Sequence, residues 1–131
     1  MSESAHEKGT ILVVEDNDFV RMQIVTYLQS GGYAVREAKE ADGGIEVLKN
    51  DDISMALVDV RMEPKGGFSF VKMAISDGYD IPTAFVTGDE SADILAQAGK
   101  LGVQVVLMKP VEKDRLLKTV ERTIAMHKRH R

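Results

Sequence analysis

The sequence has no cysteine, no tryptophan and only 5% aromatic residues among its 131 positions. The absence of cysteine excludes disulfides, cysteine-ligated zinc and catalysis by a thiol. Because aromatic residues are scarce, the 44% of residues that are hydrophobic must build a core mainly from valine, isoleucine, leucine, methionine and alanine. A chain of this length and composition is typical of one globular domain.

The chain also lacks an excess of basic residues and any long hydrophobic run. It has 21 acidic and 17 basic residues, a formal net charge of −4, so we expect no direct nucleic-acid binding by the domain as a whole. No apolar segment approaches the roughly 20 residues needed to cross a bilayer. The polar N-terminal segment lacks the hydrophobic stretch of a signal peptide. We therefore expect a cytoplasmic protein without a membrane partner.

What the sequence does contain is a regular alternation of short hydrophobic runs and helical patterns. The runs are rich in β-branched residues and predict buried strands, and the intervening apolar residues recur at helical spacing. This alternation favours an α/β fold, with a parallel sheet covered by helices on both faces. The five predicted strands cover residues 10–14, 33–36, 54–58, 82–86 and 103–108, and a helix is expected after each.

No repeat, linker or low-complexity segment divides the chain. We expect a flexible segment at residues 1–8, one domain at residues 9–126 and a basic tail at residues 127–131. Such a tail is typical of a solvated helix end, where cations suit the helix dipole. It could also lead to an output domain in a longer protein.

Charged and hydroxyl side chains lie at the ends of four predicted strands. Glu15 and Asp16 follow the first strand, Asp59 the third, Thr87 the fourth and Lys109 the fifth. Ligands of open α/β sheets bind outside the carboxyl ends of the strands, so we expect these side chains to converge. Two carboxylates roughly 4 Å apart repel by about 4 kcal/mol at an effective dielectric constant near 20. A divalent cation relieves that repulsion, and oxygen ligands suit Mg²⁺.

The same set of side chains suits phosphoryl transfer. A carboxylate such as Asp59 can act as a nucleophile and form an aspartyl phosphate. The charge on the incoming phosphoryl oxygens needs neutralisation, which a metal ion and the compact ammonium group of Lys109 would supply. The Thr87 hydroxyl can donate to a phosphoryl oxygen.

These strand ends closely resemble the response-regulator receiver family of two-component signalling, the CheY-like superfamily. The resemblance covers roughly residues 9–126 and implies a bacterial protein. It also implies a flavodoxin-like doubly wound sheet of five parallel strands in the order 2-1-3-4-5, with five helices. The matching segments are Val13-Val14-Glu15-Asp16, Val58-Asp59, Val86-Thr87-Gly88 and Lys109-Pro110.

The resemblance implies a role for each strand-end residue. Asp59 would accept a phosphoryl group from a sensor histidine kinase or a phosphotransfer protein, and Thr87 and Lys109 would contact that group. The Lys109-Pro110 peptide is expected to be cis, which X-Pro bonds tolerate at low cost. The Mg²⁺ ligands would be the side chains of Glu15, Asp16 and Asp59 and the backbone carbonyl of Arg61.

The resemblance further implies a switch rather than an enzyme. Phosphorylation would shift the face formed by the fourth helix, the fifth strand and the fifth helix. That face would then bind an output domain, another partner or a second copy of the chain.

The sequence departs from the family pattern at three places. Val106 and Val111 stand where the family usually has aromatic residues, so the usual output mechanism is in doubt while the phosphorylation chemistry is not. In the loop after Asp59, Pro64 comes one position later than is common, and Glu15 replaces an aspartate. A further hypothesis is that Arg61 pairs with Glu63 or Asp89 and slows the attack of water on the acyl phosphate. Solvent-exposed ion pairs are typically worth under ~1 kcal/mol, so we expect a modest effect.

Two alternatives stay open at this point. A receiver-like module could bind proteins constitutively, without phosphorylation, and the missing aromatic at Val106 favours it. An unrelated doubly wound Mg²⁺-dependent phosphohydrolase would also use a strand-end nucleophile, but no second aspartate stands two residues after Asp59. A flavin-binding domain fits less well, because an acidic first loop repels phosphate.

Overall fold

A computed structural model describes residues 8–88 and 92–129 of the chain. They form one sheet of five strands in the order β2-β1-β3-β4-β5, and each neighbouring pair is parallel. The predicted fold class and strand order are therefore confirmed. The strands are β1 (Thr10–Val14), β2 (Ala34–Ala38), β3 (Met55–Asp59), β4 (Thr83–Thr87) and β5 (Val105–Met108).

A helix follows each strand, as predicted. The first begins where expected, because the Asn17 side chain accepts a hydrogen bond from the backbone N–H of Val20 at 3.0 Å. It ends at Gly31, whose N–H donates to the carbonyls of Tyr27 and Leu28. The helices are α1 (Asp18–Ser30), α2 (Ala41–Asn50), α3 (Gly67–Ser76), α4 (Ala92–Lys100) and α5 (Lys113–Arg129).

Some predictions concern residues outside the described part of the chain. They are the flexible segment apart from Lys8, the acidic partner Asp89 and the last two residues of the tail. The first three tail residues continue α5 to Arg129.

The sheet separates two hydrophobic cores. On one face, alternate strand residues such as Val13 and Leu57 pack with α1 and α5. On the other face, Val14 and Val58 belong to the core that includes residues of α2, α3 and α4. Every residue of β3 is buried, which explains why the central strand is apolar almost throughout rather than alternating. Within residues 8–88 and 92–129, the helices are too short or too polar to span a membrane.

Strand boundaries differ from the sequence prediction in ways that matter for the site. β3 and β4 each extend one residue further and include Asp59 and Thr87. β2 continues through the charged residues Arg36 and Glu37, which are exposed on an edge strand. Hydrophobicity alone therefore underestimates β2, because an edge strand needs fewer buried side chains.

Candidate functional site

Three carboxylates meet at the carboxyl edge of the sheet. Val14 of β1 pairs with Val58 of β3, so the next residues, Glu15 and Asp59, lie side by side. One carboxylate oxygen from each of Glu15, Asp16 and Asp59 lies within 4.8 Å of the other two. Glu15 and Asp59 are only 1% and 5% exposed, whereas Asp16 is exposed. The structure therefore assembles the predicted acidic cluster from two separate strands.

Lys109 lies against the two buried carboxylates. Its Nζ donates a hydrogen bond to Asp59 Oδ2 at 3.2 Å and lies 3.0 Å from Glu15 Oε1. Burial alone would lower the pKa of Lys109, but the contacts with Glu15 and Asp59 outweigh it and raise the pKa. The lysine is thus held in its charged form. Its peptide bond to Pro110 is cis, as predicted.

The buried carboxylate of Glu15 lies against the Asn17 backbone and Lys109. Its Oε2 accepts a hydrogen bond from the Asn17 N–H at 3.1 Å. Its Oε1 is buried and accepts no hydrogen bond of good geometry from residues 8–88 or 92–129, although Lys109 Nζ is near. Burial, together with the adjacent Asp59 carboxyl, raises the pKa of Glu15 to about 7. One nearby ammonium group does not neutralise three carboxylates, so the site still favours a cation.

Thr87 completes the edge from the next strand. It is the last residue of β4 and is 1% exposed. Its carbonyl accepts a hydrogen bond from the Lys109 N–H at 2.9 Å, so β4 and the segment after β5 remain paired at the site. All five predicted side chains, from Glu15 to Lys109, therefore lie at one end of the sheet.

Arg61 reaches the site through its backbone. Its N–H donates to Asp59 Oδ1 at 3.1 Å, and its side chain is exposed. With Asp16 and Glu63 it lines an open cavity of about 380 Å³ beside the carboxylates. The roles of its carbonyl as a metal ligand and of its side chain as a partner of Glu63 or Asp89 stay predictions.

The loop after Asp59 turns back closely on the strand it leaves. The Gly67 N–H donates to the Val60 carbonyl at 2.9 Å. A Cβ on Gly67 would lie 2.6 Å from the Asp59 carbonyl oxygen, and one on Gly66 would lie 2.3 Å from the Val60 carbonyl oxygen. Both glycines are thus needed for close backbone approach. The Glu63–Pro64 peptide, where the loop departs from the family pattern, is also cis.

Sequence reasoning missed Arg21, a buried arginine on α1 that contacts the acidic loop. One signal could have found it. Arg21 lies three residues before Ile24 and seven before Leu28, on the same helical stripe as these core residues. A charge on that stripe needs partners inside the protein.

Val106 occupies the place where the family pattern predicts an aromatic side chain. It is half-buried and pairs in register with Phe85 of β4. Phe85 in turn packs edge-to-face against Phe68 of α3, with ring centroids 5.1 Å apart. Val111, the second departure, is buried in the core beneath α1 and α5. Phe85 and Phe68 thus form an aromatic pair on the neighbouring strand and helix.

The chain is similar to proteins of two-component signalling. It is 29% identical over 123 residues to the CAI-1 autoinducer sensor kinase/phosphatase CqsS of Vibrio cholerae, covering 92% of this chain and 18% of that protein. It is 29% identical over 117 residues to the transcriptional regulatory protein FixJ of Bradyrhizobium diazoefficiens, covering 89% of this chain and 57% of that protein. The chain thus spans under two thirds of these relatives.

The fold is likewise that of solved receiver domains. A CheY-like receiver domain protein from Methanospirillum hungatei superposes with a TM-score of 0.86 at 23% identity, covering 93% of this chain and 98% of that chain. The family model of the response regulator receiver domain matches residues 11–121. That match includes every strand-end residue of the site, from Glu15 to Lys109. The chain therefore belongs to the response regulator receiver domain family of two-component systems.

Proposed function

We propose that Asp59 accepts a phosphoryl group from the phosphohistidine of a sensor histidine kinase or a phosphotransfer protein. The observation that carries the proposal is the surroundings of this one carboxylate. Asp59 is buried between a second carboxylate and a lysine, its Oδ1 is held by the Arg61 N–H, and its Oδ2 is held by Lys109. The surroundings thus orient a nucleophile and set a cation beside it.

The residues present fit a bound Mg²⁺. Their donors are carboxylate oxygens, which Mg²⁺ prefers. Glu15 Oε1 is a buried oxygen that accepts no hydrogen bond of good geometry from the described residues, although Lys109 Nζ lies 3.0 Å away, so a metal ion could use it as a ligand. Glu15, Asp16 and Asp59 would hold the ion, together with the Arg61 carbonyl. When bound, Mg²⁺ would neutralise charge on the phosphoryl oxygens.

The chain's own residues define the transfer step. One carboxylate oxygen of Asp59 forms a bond to phosphorus while the bond from phosphorus to the donor's imidazole nitrogen breaks. The imidazole leaves as a neutral group when its other nitrogen carries the proton. Lys109 already donates to Asp59, and its flexible stem lets it follow the charge onto a phosphoryl oxygen. The Thr87 hydroxyl would donate to another.

Phosphorylation would then act as a switch. It adds roughly −1.5 to −2 charge and three strong acceptors, which draw Lys109 and Thr87 towards Asp59. The backbone hydrogen bond between Lys109 and Thr87 couples their movement. We propose that the face formed by α4, β5 and α5 shifts population and binds an output domain, another partner or a second copy. The domain would not be an enzyme in its own right.

Intact mass spectrometry tests the proposal. The protein is incubated with Mg²⁺ and acetyl phosphate, and we expect one phosphoryl adduct. The adduct should be absent from Asp59→Asn and suppressed by a chelator. Asp42→Asn is the matched control, because the Asp42 carboxylate is 61% exposed and pairs with Lys65 and not with a residue of the acidic cluster. A wild-type protein that forms no adduct would contradict the proposal and favour a protein-binding module that works without phosphorylation.

A further inference from the structure

We propose that Arg21 is a positioning residue for the acidic site, because it fixes the peptide group that joins Glu15 to Asp16. The inference rests on the proposed function, since it concerns how the chain presents its Mg²⁺ ligands. It adds a residue that touches neither the metal ligands' carboxylates nor the phosphoryl group.

Arg21 uses three nitrogens to join three segments of the chain. Its Nη1 donates to the Glu15 carbonyl at 2.8 Å. Its Nη2 donates to Asp18 Oδ1 at 2.6 Å, and its Nε donates to Glu37 Oε1 at 3.0 Å. Arg21 is only 8% exposed, whereas Asp18 and Glu37 have side chains that are 74% and 51% exposed. Asp18 and Glu37 therefore fix the buried guanidinium group, and its remaining nitrogen, Nη1, binds the carbonyl of Glu15.

The carbonyl that Arg21 holds is well placed to control both acidic side chains. It belongs to the peptide plane between Glu15 and Asp16, and such planes rotate as rigid units. Rotation of this plane would change the ψ angle of Glu15 and the φ angle of Asp16, and so redirect both carboxylates. The Glu15 N–H donates to the Ala38 carbonyl at 3.0 Å, which fixes the preceding side of Glu15 to β2. Arg21 supplies the constraint on the following side.

An arginine suits this position better than a lysine. Its planar fork presents several donors in fixed directions, while a lysine presents one ammonium group on a flexible stem. The contacts with Asp18 and Glu37 use two nitrogens and leave Nη1 aimed at Glu15. A lysine that kept the charge would lose this simultaneous geometry.

Positioning and electrostatics predict opposite effects of removing Arg21. A cation near the site repels Mg²⁺, so loss of the charge alone would tighten Mg²⁺ binding. Loss of the constraint on the Glu15–Asp16 peptide would weaken it. Residues that orient metal ligands from behind typically contribute about 10- to 100-fold to metal affinity, so we expect the weakening to prevail by about ten-fold.

The test is a Mg²⁺ titration without a phosphodonor, in which the NMR chemical shifts of the backbone amides report binding. We expect Arg21→Met, which keeps much of the side-chain length, to raise the Mg²⁺ dissociation constant by about ten-fold. Lys39→Met is the matched control, because Lys39 is 71% exposed and lies 3.7 Å from Asp18 without contacting the loop. The Mg²⁺ dissociation constant of the Lys39→Met protein should stay the same or fall. An Arg21→Met protein that binds Mg²⁺ as tightly as the wild type overturns the inference.

A second variant guards against a folding defect. Arg21→Lys keeps the charge, and thermal unfolding reports whether each variant is folded. We expect folded Arg21→Lys to bind Mg²⁺ several-fold more weakly than the wild type, because the fork is lost. Unchanged affinity in that variant contradicts the inference alone. A wild-type protein whose amides near Asp59 show no Mg²⁺-dependent shift overturns the proposed function and this inference with it.

Discussion

The region around Asp59, which we propose as the acceptor region, and the face of α4, β5 and α5, which we propose as the output region, differ in how deeply their residues are buried. In the acceptor region, every residue of β3 is buried, and Asp59 is held by a backbone N–H and by Lys109. In the output region, three of the four residues of β5 are half-buried, and Leu95 of α4 is 57% exposed. The proposed chemistry therefore lies in the buried centre of the sheet, while the proposed partner face lies at its edge.

The departures from the family pattern follow this division only in part. Asp16, Asp59, Thr87 and Lys109 match the pattern, whereas Glu15 and the loop that contains Pro64 depart from it beside the acidic cluster. Val106, which does not match, lies on the edge strand β5. We therefore expect substitutions in the acceptor region to change phosphorylation, and substitutions at Val106 to leave it intact.

The largest expected effect is that of Lys109→Met. Removal of the ammonium group that contacts Glu15 and Asp59 leaves the phosphoryl charge less stabilised. We expect the rate of adduct formation with acetyl phosphate to fall by about 100-fold, as for other lost charge-stabilising donors. The Mg²⁺ dissociation constant should stay the same or fall, because a competing cation is gone. Time-resolved intact mass measures the first quantity, and an NMR titration measures the second.

Lys100→Met is the control for this experiment, since Lys100 is an exposed lysine at the end of α4. It should form the adduct at the wild-type rate. Wild-type kinetics in Lys109→Met would show that adduct formation at Asp59 does not depend on the Lys109 ammonium group, which would contradict the role proposed for it.

A smaller effect is expected from Gly67→Ala, measured as the free energy of unfolding in urea. The added Cβ would lie 2.6 Å from the Asp59 carbonyl oxygen, so the loop after Asp59 must shift. We expect a loss of about 1–3 kcal/mol. The matched control is Gly99→Ala in α4, where nothing lies within 4 Å of the new Cβ. That variant should gain about 0.5–1 kcal/mol, because alanine is a better helix former.

The opposite signs sharpen the contrast between the two regions. If Gly67→Ala were as stable as Gly99→Ala, the loop would have room to adapt, and the tight construction of the acceptor region would be disproved. If both were destabilised equally, α4 would be more constrained than its open surroundings indicate.

The sequence predicts the buried centre of the sheet better than its edge. The apolar run before Asp59 predicts a central strand, because a strand buried on both faces needs no alternation. Convergence of Asp59 with Glu15 then follows from the rule that parallel strands share one carboxyl edge. β2 was placed too early, because its charged residues Arg36 and Glu37 carry no hydrophobic signal.

Two features of the site could not be read from the chain. Gly66 and Gly67 are visible as loop residues, but their close approach to the carbonyls of Val60 and Asp59 is a tertiary fact. Arg21 meets Glu37 across a sequence separation of 16 residues. That pairing depends on α1 packing beside β2, so helical periodicity could mark Arg21 as unusual without giving its partner.

The smallest expected effect is that of Val106→Phe, which restores an aromatic residue at the position that departs from the family pattern. Val106 is half-buried next to Phe85, so a larger side chain can turn towards solvent. We expect adduct formation to stay within about two-fold of the wild type, equivalent to the ~0.5 kcal/mol typical of substitutions away from a site.

Val35→Phe on the opposite edge strand β2 is the matched control. Hydrogen exchange of the β5 amides, with and without phosphorylation, should change more in Val106→Phe than in Val35→Phe, because only Val106 adjoins the strand that carries Thr87. A ten-fold change in the rate of adduct formation by Val106→Phe would mean that the side chain at this position of β5 affects the reactivity of Asp59. The acceptor and output regions would then not be independent.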